Sequence, residues 1–347
     1  MIISNRVIKA TLLKEKIVVD EITPLQKGKF YRLKSTDNKC YFLKIQESNR
    51  IIIEIDSINL LYRIIGFDNL PTLICYGIVQ NQGFIVYDYI PNQSASIFSE
   101  LFNANFEVVS KIFDIITPCY LKFKGMDTIN FSTERYLKVA KLPNDKRQLI
   151  MSIFEVLDCY FKDKKLPYGY IHGDLHTANI LVRKNEITII DPMTSIHGCF
   201  LFDFALLEIS LLHHLGNSKF GGSFQKEQYQ EIFTNISLGY CNNVLQSDSY
   251  IIQSIKTLRT SLSKLIFKYK YDTILITEAY VYFLCCILLR QIGKGNYPVK
   301  FRYYVIEQLI FICKNNTIEE QSIYAYLRQT QPASPTQPQT TQMLPIG

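Results

Sequence analysis

The stretch Ile171–Ile180, read together with residues 187–192, constrains the fold of this chain more than any other part of it: IHGDLHTANI, then a short gap, then ITIIDP. Gly173 permits a tight turn, so Asp174 and Asn179 fall on one irregular loop. Beyond the loop, Ile180-Leu181-Val182 and Ile187-Thr188-Ile189-Ile190 are strand-forming runs. The polar Arg183-Lys184-Asn185-Glu186 separates them, which is the pattern of a hairpin. Its second strand brings Asp191 back beside the loop, and Pro192 cannot extend a central strand, so pairing stops where the carboxylate stands.

These residue types suit a particular chemistry. In phosphoryl transfer, one Asp accepts the proton of the attacking hydroxyl, while an Asn and a second Asp hold the magnesium ions that bridge the phosphates of ATP. Asp174, Asn179 and Asp191 are those types in that order. Two other readings fit the same segment. His172 and His176 are four apart, the spacing of paired zinc ligands on a helix, although Gly173 stands where an HExxH motif has Glu and disfavours the helix. All five histidines lie between 172 and 214. The polar residues could also serve only the turns of the loop itself.

At 347 residues, the chain is long enough for two lobes around a sizeable core. Hydrophobic residues at 48% and charged residues at 20% describe an ordinary globular composition. The nine cysteines are scattered and form no CxxC pair, as expected of buried thiols in a reducing, cytoplasmic compartment. Cys285-Cys286 lies in an apolar run and reads as core. Arg6, Lys9, Lys14 and Lys16 interrupt the N-terminus before an apolar leader can form. The charge-free stretch Asn69 to Tyr87 is broken by Pro71, Gly77 and Gly83, so no membrane span is expected.

The net charge of +7 is unevenly placed: residues 251–328 hold eleven Lys/Arg against five Asp/Glu. Such a surplus suits an anionic acceptor or a solvated helix face. The chain has no basic tract interleaved with aromatics, so nucleic acid is not an expected partner.

Along the chain, Glu21–Gln26, Phe30–Leu33 and Cys40–Ile45 read as three strands. Apolar spacing over residues 50–65 predicts a helix that Gly66 stops. Leu73–Val79 and Phe84–Tyr89 are two further strands, after which Pro91-Asn92 marks a hinge. Residues 94–165 read as mainly helical, and so do residues 204–327, with long apolar faces at residues 274–289 and 303–313. The uncharged, Pro/Gln/Thr-rich residues 329–347 read as a disordered tail.

This order of elements resembles the aminoglycoside phosphotransferase and choline kinase group: Lys44 on the third strand, Glu54 on the helix, a hinge, HGDLHTANIL, and IDP. Gly198 and Phe202-Asp203-Phe204-Ala205 strengthen the likeness. The Ile190-Asp191-Pro192 form with Gly198 is also similar to methylthioribose and fructosamine kinases. The resemblance implies an α+β, protein-kinase-like two-lobed fold. A small five-stranded antiparallel lobe with one helix (residues 1–90) would bind ATP, and a larger, mainly helical lobe (residues 91–328) would carry catalysis and the acceptor.

The resemblance further implies that Asp174 is the catalytic base and that Asn179 and Asp191 bind Mg2+. Lys44 would contact the α- and β-phosphates, held by Glu54, with Glu47 and Asp56 as nearby alternatives. Gly28 is what remains of a phosphate-covering loop, and residues from Asp88 to Ile90 would present backbone groups to adenine. Asp203 would cap the free amides of its own helix. The implied partner is a small-molecule hydroxyl acceptor. The positive surplus speaks against polycationic aminoglycosides, which leaves a sugar or other polyol. The sparse glycine loop also admits a nucleotide-binding pseudokinase, and the same residues would serve a kinase acting on a protein or peptide.

Overall fold

Both faces of the N-terminal sheet are apolar, and this sets the first half of the architecture. The computed structural model describes residues 4–26, 29–90, 105–122, 125–128, 144–183, 186–192, 196–215 and 250–293, with Ile97, Leu101, Leu142 and Glu307. Strands β1 (Val19–Gln26), β2 (Phe30–Ser35), β3 (Cys40–Glu47), β4 (Leu73–Val79) and β5 (Gln82–Asp88) form one antiparallel sheet in the order β1-β2-β3-β5-β4. Side chains alternate between its faces. Phe84 and Val86 of β5 join Leu33 and Leu43 in a core completed by Ile8 and Leu12 of helix α1 (Asn5–Lys14). Ile85 and Tyr87 share the opposite core with Ile51, Ile55 and Ile58 of helix α2 (Ser48–Ile65), which ends at Gly66.

Helix α1 departs from the sequence reading, which places one helix in this lobe where the structure has two. Its charges, Arg6, Lys9 and Lys14, read only as breaks in a leader. They flank Ile8 and Leu12, which sit one turn apart and cover the sheet.

The second half is built on helices α3 (Glu107–Lys122), α4 (Asn144–Phe161), α5 (Leu201–Leu215), α6 (Tyr250–Tyr269) and α7 (Thr273–Gly293). Among them lies an unexpected three-stranded antiparallel sheet in the order β10-β7-β6, formed by β6 (Gly125–Thr128), β7 (Lys165–Ile171) and β10 (Ile196–Cys199). Pro167 and Gly169 hide β7 from a propensity reading. Gly169 is there for contact: a Cβ at that position would lie 2.0 Å from the carbonyl oxygen of Tyr120 on α3. The expected hairpin is present as β8 (Ile180–Arg183) and β9 (Glu186–Ile189).

One apolar cluster runs from α2 and β5 through α3 and the β8–β9 hairpin into α5, α6 and α7. Helix α7 is apolar and long enough, by length and composition, to cross a membrane (mean hydropathy 1.7 over Thr273–Gln291), but 67% of that stretch is buried and it packs against α5 and α6. The charge-free stretch from Asn69 instead forms β4 and β5. Cys285 and Cys286 are buried in α7, whereas Cys159 is exposed, so not every thiol is a core residue. Gly28, the Pro91-Asn92 hinge, residues 303–306 and 308–313, and the tail lie outside the described residues.

Candidate active site

The pleat of β3 turns Leu43 into the α1 core and Lys44 toward α2. There the Lys44 ammonium is 2.9 Å from Glu54 Oε2 and 2.7 Å from Asp191 Oδ1. Of the three acidic candidates on or near α2, Glu54 is the one that faces the lysine; Glu47 pairs loosely with Arg50 instead. Gln46, two residues along the same strand face, donates to Glu54 Oε2 at 2.8 Å, and the Tyr87 hydroxyl donates to Oε1 at 3.0 Å. Burial raises the Glu54 carboxyl above its usual range, while the Lys44 charge pulls it down. Three donors thus hold a carboxylate inside the lobe.

The loop after β7 is pinned by its own polar groups. Gly173 has φ +74, a left-handed conformation that glycine adopts without strain. Asn179 Nδ2 donates to the Asp174 carbonyl at 2.9 Å, which draws the loop closed. The Thr177 amide donates to Ser210 Oγ on α5 at 2.9 Å. His172 is buried, which lowers its basicity and keeps the ring neutral. Its Nδ1 accepts from the Asp174 amide at 3.3 Å, so Nε2 carries the hydrogen and donates to the Ile190 carbonyl at 3.1 Å. In turn, the Ile190 amide donates to the Asn179 carbonyl at 2.9 Å. These bonds tie the loop to the end of the hairpin, where Asp191 stands at φ +58.

Asp203 does not cap its own helix. Its two oxygens accept from the amides of the catalytic-type loop, His172 at 2.7 Å and Gly173 at 2.8 Å, and from the Tyr120 hydroxyl at 3.2 Å. The residue is wholly buried, and burial pushes its carboxyl up to about 7 against the pull of those hydrogen bonds.

The Asp174 carboxylate has two neighbours that the sequence reading did not connect with it. Arg290 of α7 places Nη2 3.4 Å from Oδ1, and His176 places Nε2 3.5 Å from Oδ2. His176 has a signal in the motif itself, whereas Arg290, 116 residues away, has none. Both His172 nitrogens are engaged, Nδ1 by the loop and Nε2 by the end of the hairpin, which removes it as half of a zinc pair. Among the described residues no three His, Cys, Asp or Glu side chains gather in a metal-ligand cluster. Asp88 is the exposed last residue of β5; its amide donates to the Thr72 carbonyl at 3.0 Å, and the Tyr89 amide to Cys40 at 3.3 Å. Ile90 follows, half-buried. Gly28 lies outside the described residues.

Comparison with known proteins adds the following. Residues 129–230 match the phosphotransferase enzyme family APH. A methylthioribose kinase of Bacillus cereus (strain AH820) is 32% identical over 90 residues, a segment that spans 26% of this chain and 22% of that protein. Among solved structures, the amicoumacin kinase hAmiN, in complex with AMP-PNP, Ca2+ and Ami, superposes with a TM-score of 0.57 at 13% identity, covering 93% of this chain and 100% of that one. The choline kinase LicA from Streptococcus pneumoniae gives 0.51 at 14% identity, covering 89% and 98%. The chain thus shares its kinase-like fold with these two solved structures.

Proposed function

We propose, from the premise that this chain carries a domain of the phosphotransferase enzyme family, that it is a small-molecule kinase moving the γ-phosphate of ATP to an alcohol hydroxyl. One observation carries the reading: Lys44 joins Glu54 of the N-terminal lobe to Asp191, which the hairpin holds beside the loop bearing Asp174. An ammonium in contact with two carboxylates, one from each half of the chain, marks the place where phosphates would lie between the lobes.

In this reading, residues 1–90 bind ATP and residues 91–328 carry catalysis and the acceptor, in a soluble, cytoplasmic enzyme. The amides of Asp88 and Tyr89 are already used, so the backbone donor to adenine would come from Ile90. Magnesium suits the oxygen donors present. Asn179 is buried and spends its Nδ2 on Asp174. Its Oδ1 has no hydrogen-bond donor among the described residues and, with the Asp191 carboxylate, would hold a hard cation. Bound there, magnesium would neutralise phosphate charge. Asp174 would orient the acceptor hydroxyl and take its proton. Arg290 would keep that carboxylate aimed.

The acceptor is a sugar or other small polyol. Arg290 beside Asp174 and the basic surplus of residues 251–328 disfavour a polycation, and the sequence match to a methylthioribose kinase points the same way. The test is ATP consumption across sugars, polyols, amino alcohols and peptides. An active acceptor should lose about 10²- to 10⁴-fold in turnover with Asp174→Asn, while AMP-PNP binding persists. Nucleotide binding with no acceptor-dependent ATP consumption would replace the enzyme with a binding protein, and turnover unaffected by Asp174→Asn would refute the assignment.

A further inference from the structure

Apart from the site residues lies a concavity that none of the roles above uses. It has a volume of about 920 Å³ and is walled by the C-terminal end of α2, one side of α3 and the turn end of the β8–β9 hairpin. Ile64, Ile65, Ile115 and Ile187 form its apolar floor, half-buried to buried. Three exposed carboxylates, Asp68, Asp114 and Glu186, stand on its rim. The rim also holds Lys111, whose ammonium lies 3.7 Å from Glu107, so the rim sets three carboxylates against one ammonium. Among the described residues the three rim carboxylates have no ion-pair or hydrogen-bond partner, not even Arg183, the cross-strand neighbour of Glu186.

The backbone adds another acceptor. Pro118 sits inside α3 and has no N–H, so the Asp114 carbonyl lacks its helical donor. Floor and rim together ask for one kind of ligand: an apolar body of a few carbons with a cationic group rich in N–H donors. The volume is within the range of about 300–1,000 Å³ that small-molecule sites occupy. None of Lys44, Asp174 and Asp191 lines this cavity, so it is not the acceptor side of the cleft. We propose that the cavity is a binding site for a small amphipathic organic cation of the alkylammonium type.

Hexylammonium is the probe, with hexanol and hexanoate as controls of equal length, titrated into the full chain while isoleucine methyl resonances are followed by NMR. Hexylammonium should shift Ile115 and Ile187 saturably, and hexanol and hexanoate should bind at least about tenfold more weakly. Raising salt should weaken the amine, because the rim charges are exposed. The double variant Asp114→Asn/Glu186→Gln, at two exposed positions, should weaken it about tenfold, while Asp174→Asn leaves it unchanged; failure of the kinase reading would not alter either result. The proposal is overturned if the three probes bind alike, if the double variant binds as the parent does, or if only Asp174→Asn abolishes binding. Binding of a tetralysine peptide without binding of hexylammonium would likewise overturn it, in favour of a protein-facing surface.

Discussion

Removing the Asp203 carboxylate should release the loop that carries Asp174. Asp203 is wholly buried and accepts from two loop amides and from Tyr120. An orphaned buried donor costs about 1–3 kcal/mol. Asp203→Ala strands three of them, and a water entering the space left behind can satisfy part of the deficit, so a loss of about 3–6 kcal/mol is expected. Asp203→Asn keeps one acceptor oxygen but turns an NH2 toward a donor, which should cost about 1–3 kcal/mol. The chain has no tryptophan, so urea unfolding followed by far-UV circular dichroism is the suitable assay, with midpoint and slope both reported. The pH dependence is a second handle. Burial lifts this carboxyl from 3.8 to about 7, so between those values the folded chain holds a proton that the unfolded chain has released. The stability this group contributes is therefore full below about pH 4 and is lost as pH rises toward 7. Asp203→Asn should flatten that decline. An Asp203→Ala protein within about 0.5 kcal/mol of the parent, with an unchanged slope, would refute the pinning argument.

Three further outcomes follow from contacts of other kinds. Gly169→Ala drives a Cβ to 2.0 Å from a backbone oxygen of α3, whereas Gly198→Ala meets the Ile171 side chain, Cδ1 at 2.8 Å and Cγ1 at 3.3 Å. Thermal unfolding should therefore show Gly169→Ala at or beyond the upper end of the usual 1–3 kcal/mol overpacking cost, and Gly198→Ala well below it. Glu208 accepts from buried Arg259 at 2.6 and 3.0 Å and from Tyr280 at 2.7 Å, so Arg259→Met should cost about 3–5 kcal/mol in urea unfolding. Replacing all three members by apolar residues of similar size should recover most of that loss, which a mutant cycle measures.

How much was legible in the sequence depended on the range of the interaction. The β8–β9 hairpin, the turn at Gly173 and the stop of α2 at Gly66 are set by neighbouring residues, and local pattern placed them. Lys44 and Glu54 were paired by their order along the chain, and the pleat of β3 explains why the two side chains meet, since it turns Lys44 toward α2 and the adjacent Leu43 and Ile45 into the α1 core. What stayed hidden was made by partners far away in sequence. Strand β7 carries Pro167 and Gly169, which argue against a strand until α3 is seen to press on Gly169. Asp203 looked like a helix cap because sequence shows only its own helix, while its donors lie 30 and 31 residues upstream. Arg290 reaches Asp174 only because α7 packs against α5, and nothing local records that.

These long-range ties converge on the hairpin and give it more than the delivery of a carboxylate. At its active end, Ile190 links to the catalytic-type loop twice, through the Asn179 carbonyl and the His172 ring. At the last residue of β9, the Ile189 amide donates to the Asn69 carbonyl, just beyond α2, at 2.9 Å. At its turn end, Glu186 and Ile187 face the cavity that α2 and α3 complete. A displacement of α2 is therefore passed to a two-stranded unit whose far end holds Asp191 against Lys44, and Lys44 in turn holds Glu54 on α2. Because this circuit closes on itself, the spacing of Lys44, Glu54 and Asp191 is set by how α2, α3 and the hairpin pack together. The residues that fill that packing are where the two halves of the chain are held in register.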